Sequence, residues 1–350
     1  MSEPRLAILT EGLFDDHHAK TAHGVIRYGT REVVAVVDSS QAGRTAVEVM
    51  PFSARPVPIV ATLAEAVDRG ANTMLIGIAP TGGKLDAAWR ALVLEAIDRG
   101  LNVEAGLHTI LSEDPEFTAA AAARGVTLRD LRLPPADIGV PAHPGRRKPG
   151  LRVVHSVGSD VALGKKAVAL ELDMAARGRG IASVFVPTGQ TGIAIAGWGI
   201  AVDHVLSDYV SGAAERLVDE GGERGDLLFV EGQGCIFHPA YSAVTLGLLH
   251  GCLPDLLILA HKAGATSLVG YDVPIPPLGE LVQLYEEVAR PLRPTRVAAV
   301  ALNTAGMDDA GARAAIAETE DATGLPADDV VRFGSDRLLD AVLTAFAKPR

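Results

Sequence analysis

Residues 153–178, VVHSVGSDVALGKKAVALELDMAARG, constrain this chain more than any other stretch. Val153 to Val157 form an apolar run that reads as a strand. A loop with glycines at Gly158 and Gly164 follows, and Lys165 and Lys166 then open an amphipathic helix with Val168, Leu170, Leu172 and Met174 among its apolar positions. Strand, glycine loop, lysine and helix are the layout of a phosphate-binding loop. The first backbone N–H groups of a helix have no partner within it, and the helix dipole places partial positive charge there. A phosphate supplies acceptors and negative charge together, the glycines let the backbone curl around it, and a lysine adds a full charge. The bland alternative is a plain glycine turn between strand and helix.

The loop departs from the common spacing G-x-x-x-x-G-K-[ST]. Ser159 stands where the first glycine is expected, and Lys166 replaces the hydroxyl residue that normally holds Mg²⁺. The pattern therefore predicts a phosphate cradle built from Gly158, Ser159, Asp160, Ala162, Leu163, Gly164, Lys165 and Lys166. It favours phosphate binding over nucleotide hydrolysis.

Length and charge narrow the surroundings. A chain of 350 residues suits two domains rather than one. The formal net charge of −11 argues against nonspecific binding to nucleic acid or an anionic membrane. No run reaches the roughly 20 apolar residues of a membrane span. Two cysteines, Cys235 and Cys252, make neither a disulfide framework nor a metal-ligand set. With no signal-peptide pattern at the start, the expected setting is a reducing cytoplasm, and self-association is the default for so apolar a chain.

Before residue 135, strands and helices alternate: Arg5–Thr10, Val33–Val37, Pro58–Val60, Thr73–Ile78 and Asn102–Ala105 read as strands. This rhythm predicts an α/β fold with a mostly parallel sheet covered on both faces, Rossmann-like in its N-terminal domain. Ligands in such sheets sit beyond the carboxyl ends of the strands, where Thr10, Glu11, Thr81, Gly82, Gly83 and His108 fall. Asp38 ends the second strand as a ribose-binding acid would, but the first turn lacks G-x-G-x-x-G, so a turn aspartate is the competing reading. Residues 136–150 are proline-rich and read as a semi-rigid connector between a domain at 1–135 and another at 151–350. Its basic cluster, Arg146, Arg147 and Lys148, reads as a solvated face or as a contact for a phosphate tail.

Beyond the cradle, strand ends again carry the chemistry. Residues 187–203 are glycine-rich and offer Gln190, Thr191 and Gly192 as a ligand loop, or else a long glycine turn. Asp226–Val230 reads as a buried strand ending in Glu231, Gly232 and Gln233. Glu231 takes the place where phosphate-loop proteins keep a carboxylate. His238 lies just past it and is an acid–base candidate, with Tyr241 close by. His238 and His250 alone do not make a zinc site, so no metal is expected. Lys262 at the next strand end suits an anion, and Asn303 with Thr304 suits a purine edge.

The segment GSDVALGKK resembles the phosphate loop of dethiobiotin synthetase, with Glu231 and Asn303 similar to that enzyme's carboxylate and late asparagine. A closer likeness, over nearly the whole chain, is to a two-domain family of DgcN-like D-glutamate N-acetyltransferases. It rests on G-[ST]-D-x-A-x-G-K at 158–165, P-T-G-Q-T-G at 187–192, V-E-G-Q-G at 230–234 and H-P-A-Y-S-x-V-T-L-G-L-L-H-G at 238–251. That resemblance implies a P-loop-type C-terminal domain, acetyl-CoA as donor and an amino acid, D-glutamate, as acceptor in D-amino acid catabolism. Coenzyme A carries phosphates that a cradle can hold without hydrolysing them. Acetyl transfer needs a base, Glu231 or His238, and donors for an oxyanion, expected from the backbone at 189–192 or 232–234. Thr81, Gly82, Gly83, Tyr241 and Lys262 are the residues expected to hold the acceptor. Two alternatives stay open: an ATP- and Mg²⁺-dependent ligase or kinase-like enzyme, as the dethiobiotin synthetase likeness suggests, and a non-catalytic binder of nucleotide or coenzyme A.

Overall fold

The structure is a computed structural model that describes residues 3–78, 85 and 87–348. The loop residues 81–83, expected at a ligand site, lie outside the described residues. The chain divides into two compact units, one of residues 1–134 with 190–204, the other of 135–189 with 205–350.

In the first unit, β1 (Arg5–Leu9), α1 (Lys20–Tyr28), β2 (Glu32–Val37), α2 (Ala46–Val49), β3 (Ile59–Val60), α3 (Leu63–Asp68), β4 (Thr73–Ile76), α4 (Ala87–Asp98), β5 (Asn102–Ala105), α5 (Pro115–Arg124) and β6 (Leu128–Asp130) follow in order. The strands pair in parallel as β3-β2-β1-β4-β5-β6, the strand order of a dinucleotide-binding domain. Leu6, Ala7, Ile8 and Leu9 are fully buried, as expected of a central strand with helices on both faces. The edge strand β6 was not legible as a strand because Leu128, Arg129 and Asp130 lack an apolar run. Asp38 is a turn residue: its carboxylate accepts from Thr10 Oγ1, Phe14 N and Ser40 N.

The second unit contains β7 (Arg152–Gly158), α6 (Lys165–Gly178) and β8 (Ser183–Val186). The next helix, α7 (Gln190–Ala196), belongs to the first unit. The second unit continues with α8 (Val210–Arg224), β9 (Leu227–Val230), α9 (Ser242–Cys252), β10 (Leu256–Lys262), α10 (Leu278–Ala289), β11 (Arg296–Asn303), α11 (Asp309–Thr323), β12 (Ala327–Asp328) and α12 (Asp336–Ala347). Its six strands are all parallel, in the order β12-β11-β10-β7-β9-β8. The order reverses around β7, so the loop after β7 lies at the topological switch point where such sheets bind ligands. Val157, Leu257, Leu259, Val300 and Tyr285 share one buried cluster beneath it.

Two expectations about chain organisation change. The glycine-rich stretch after β8 folds into α7 rather than a ligand loop. Thr191 Oγ1 meets Thr21 Oγ1 at 2.7 Å on α1, and Arg31 and Arg129 donate to the carbonyls of Ala194 and Gly197 at the helix end. These bonds hold Gln190, Thr191 and Gly192 within the first unit. The proline-rich connector, in turn, is packed into the second unit. Arg147 reaches Asp255 Oδ2 at 3.1 Å and the carbonyls of Cys252 and Leu253. Lys148 Nζ lies 2.7 Å from Asp226 Oδ1. Asp255 and Asp226 precede β10 and β9, at the end of the sheet away from the phosphate loop, so both basic residues clamp the connector instead of touching a phosphate tail. Among the described residues no helix is long and apolar enough to cross a membrane.

Candidate active site

The carboxyl ends of β7, β8, β9, β10 and β11 deliver the phosphate loop, Thr188, Glu231, Lys262 and Asn303 to one edge of the second unit's sheet. The loop curls through positive φ at Ala162 (54°) and Gly164 (103°), and α6 starts at Lys165. Only Gly164 escapes the steric cost of that conformation, so Ala162 is held there by its neighbours. Tyr285 donates its hydroxyl to the Gly158 carbonyl at 2.7 Å and accepts from Ile236 N. Asn303 Nδ2 donates to the Leu163 carbonyl at 3.2 Å, and Ser159 Oγ meets His261 Nδ1 at 2.8 Å. The loop is thus tied from α10, β11 and β10.

Lys165 is buried, and its ammonium donates to the Asp160 carbonyl at 2.6 Å. Burial lowers its pKa from 10.5 to about 8, and the charges of Cys235, Asp160 and Glu231 offset only part of that. A buried cation folded onto a curled loop of the kind that accepts phosphate fits an anionic ligand, whose charge would relieve the desolvation. His155, buried on β7, is pushed down to about 3 by burial and then by Lys165, so it is neutral.

Glu231 is buried at the end of β9. Its Oε2 accepts from Thr188 N at 3.0 Å and Gly189 N at 3.2 Å, and its carbonyl accepts from Thr188 Oγ1. Gln233 Nε2 donates to the Thr188 carbonyl at 2.6 Å. Gly232 N donates to Ser156 Oγ, and a Cβ at Gly232 would overlap the Ser156 carbonyl oxygen, so only glycine lets β9 exit this close to β7. Asp160 receives Val161 N at 2.6 Å and Val269 N at 2.7 Å, which fastens the segment between β10 and α10 to the phosphate loop. His238 is buried beside Asp160, between the rings of Tyr241 at 4.8 Å and Tyr271 at 5.1 Å.

Several expected roles change on this geometry. Asn303 donates one amide N–H to the Leu163 carbonyl and accepts from Ala305 N, so it supports the phosphate loop. Thr304 gives both its N–H and its hydroxyl to Asp329 and is buried. Gly189 N and Gly232 N are already spent on Glu231 and Ser156, which removes them as oxyanion donors. Lys262 is exposed at the tip of β10. Three contributors carried no signal in the sequence as site residues: Tyr285, Val269 and Tyr271. Tyr285 reads as one apolar position of an amphipathic helix, and its partner is 127 residues away.

A six-stranded parallel sheet with a phosphate-binding loop and buried lysine at its switch point defines a P-loop protein, here joined to a Rossmann-like unit. Family models agree: residues 143–339 match the domain of unknown function DUF1611, described as a P-loop domain, and residues 39–134 match its N-terminal companion, described as Rossmann-like. The chain belongs to this two-domain DUF1611 family, and it is similar to proteins named D-glutamate N-acetyltransferase. One from Tritonibacter scottomollicae is 39% identical over 288 residues, covering 80% of this chain and 84% of the relative. Another from a Pseudoalteromonas species is 33% identical over 281 residues, covering 79% and 83%. A crystal structure of a DUF1611 family protein from Anabaena variabilis superposes with a TM-score of 0.88 at 39% identity, over 97% of this chain and 99% of that one.

Proposed function

We propose that this chain is an N-acetyltransferase that moves the acetyl group of acetyl-CoA to the amino group of an amino acid, with D-glutamate as acceptor, in D-amino acid catabolism. The names of the relatives support the reaction. The observation that carries the donor is the phosphate loop: a buried Lys165 and a second lysine, Lys166, where a metal-holding hydroxyl would serve nucleotide hydrolysis. The loop from Gly158 to Gly164, with both lysines, receives the phosphates of coenzyme A. Glu231 takes a proton from the acceptor ammonium, and Tyr241 and Lys262 are the proposed acceptor contacts. Burial raises the Cys235 thiol to about 11, which leaves it protonated and supports direct attack by the amine over a cysteine-bound acetyl intermediate.

The test is thiol release from acetyl-CoA with D-glutamate, L-glutamate and no acceptor, run beside ADP release from ATP with Mg²⁺. Acceptor-dependent thiol release with D-glutamate is the expected result. Acceptor-dependent ADP release without thiol release would place the chain with the ATP-dependent ligases instead.

A further inference from the structure

His238 is buried to 1% exposure, and only one of its ring nitrogens is satisfied. Nδ1 accepts from Ala240 N at 3.1 Å. In a neutral imidazole the nitrogen that accepts carries no hydrogen, so the proton sits on Nε2. No described residue accepts from Nε2. Asp160 Oδ1 is 3.8 Å away, beyond hydrogen-bond length, and that carboxylate already receives two backbone amides. A buried donor without an acceptor costs about 1–3 kcal/mol, which an incoming ligand oxygen would offset.

We propose that His238 is a fixed Nε2–H donor to an oxygen of the bound ligand and not the general base. To act as a base it would need its lone pair on Nε2 and its hydrogen on Nδ1, where it would face the Ala240 N–H donor against donor. The identity of the oxygen rests on the acyl-transfer reading: it is the thioester carbonyl oxygen as it gains charge. Gly189 N and Gly232 N, two of the expected backbone donors, are committed elsewhere, and a side-chain donor takes their place. The neutral amine attacks the thioester carbon and the carbonyl π pair moves onto oxygen, where Nε2–H donates and keeps its proton. Collapse restores the C=O bond and breaks the C–S bond. One proton of the ammonium passes through Glu231 to solvent, and the other, lost from nitrogen as the amide forms, ends on the departing thiolate.

Two measurements decide this. Gln places an amide N–H near the position of Nε2–H and cannot take a proton, whereas Ala supplies neither. His238→Gln should keep kcat for thiol release within about tenfold of the parent, while His238→Ala loses about 10²–10³-fold. Equal loss in both, with both folded and binding acetyl-CoA as the parent does, overturns the donor role. Long-range proton–nitrogen NMR of the parent protein reads the tautomer without any turnover. The Nε2–H form, shifted by saturating acetyl-CoA, is expected; the Nδ1–H form, or an Nε2 signal that acetyl-CoA leaves unmoved, refutes the proposal. A protein that shows the shifted Nε2–H form but acetylates no amino acid keeps the donor and refutes only the acceptor reading.

Discussion

Raising the pH from 7 to 9 should weaken acetyl-CoA binding through a single group, Lys165. In the ligand-free protein burial holds that ammonium at about 8, against 10.5 for an unburied lysine. Such a depression corresponds to about 3 kcal/mol held against the charged form. A phosphate at the loop supplies the opposite charge, so the bound-state value lies above the free one and binding takes up a proton in the window between them. The free protein has Lys165 roughly 90% protonated at pH 7 and roughly 10% at pH 9. Affinity should therefore fall about tenfold over that range, or about 1.4 kcal/mol. Acetyl-CoA suits the measurement because its thiol is capped and a phosphate monoester has lost its second proton above about pH 6. Calorimetry at pH 7, 8 and 9, in buffers of differing ionisation enthalpy, counts the protons: about 0.1 taken up at pH 7 and about 0.9 at pH 9. Lys165→Met should bind more weakly and with no pH dependence across the window. An affinity flat from pH 7 to 9 with no proton uptake, or the same pH dependence in Lys165→Met, would refute the reasoning. For folding the sign is opposite to that of a lysine that gains a partner. The cost of burying the charge is present in full below pH 8 and shrinks as pH rises towards 10.5.

Gly232→Ala drives a methyl into the Ser156 carbonyl and strains the Gly232 N–Ser156 Oγ bond, so it should cost about 3 kcal/mol and lower Tm by about 6–12 °C. Gly189→Ala meets the Gln233 amide at 3.2 Å and Glu231 Oε1 at 3.8 Å, both side-chain ends, and should cost less than Gly232→Ala; the reverse ranking in a thermal melt would contradict the packing described. Arg147→Ala removes one of the two arginines on Asp255 among the described residues and should cost about 2–4 kcal/mol in urea denaturation, with Arg146→Ala within about 0.5. A loss of acetyl-CoA affinity in Arg146→Ala would instead return the basic cluster to the phosphate tail. Thr191→Val should lower stability by about 1–2 kcal/mol and leave acetyl-CoA affinity unchanged. Weaker binding at unchanged stability would restore residues 190–192 to the ligand site.

The alternation of apolar strands and helices, the phosphate loop and the acid at the end of β9 were all readable from the chain, because each rests on a local cause. A strand buried on both faces shows as an unbroken apolar run such as Leu227–Val230, and a loop that must turn through positive φ shows its glycine at 164. The short edge strands β6 and β12 carry no such signature, because an edge pairs on one side only and needs no unbroken apolar run. What the polar residues do was decided by tertiary structure. Thr191 and Thr21 are 170 positions apart, and Asn303 and Leu163 are 140 apart. A hydroxyl or amide has the same appearance in the chain whether it waits for a ligand or is spent on a distant partner. The proton on His238 Nε2 is likewise placed by the Ala240 amide, and the fold decides that it finds no acceptor of its own. Periodicity and glycine placement act over a few residues and are written in the chain; the assignment of each donor to its acceptor is settled only when distant segments meet.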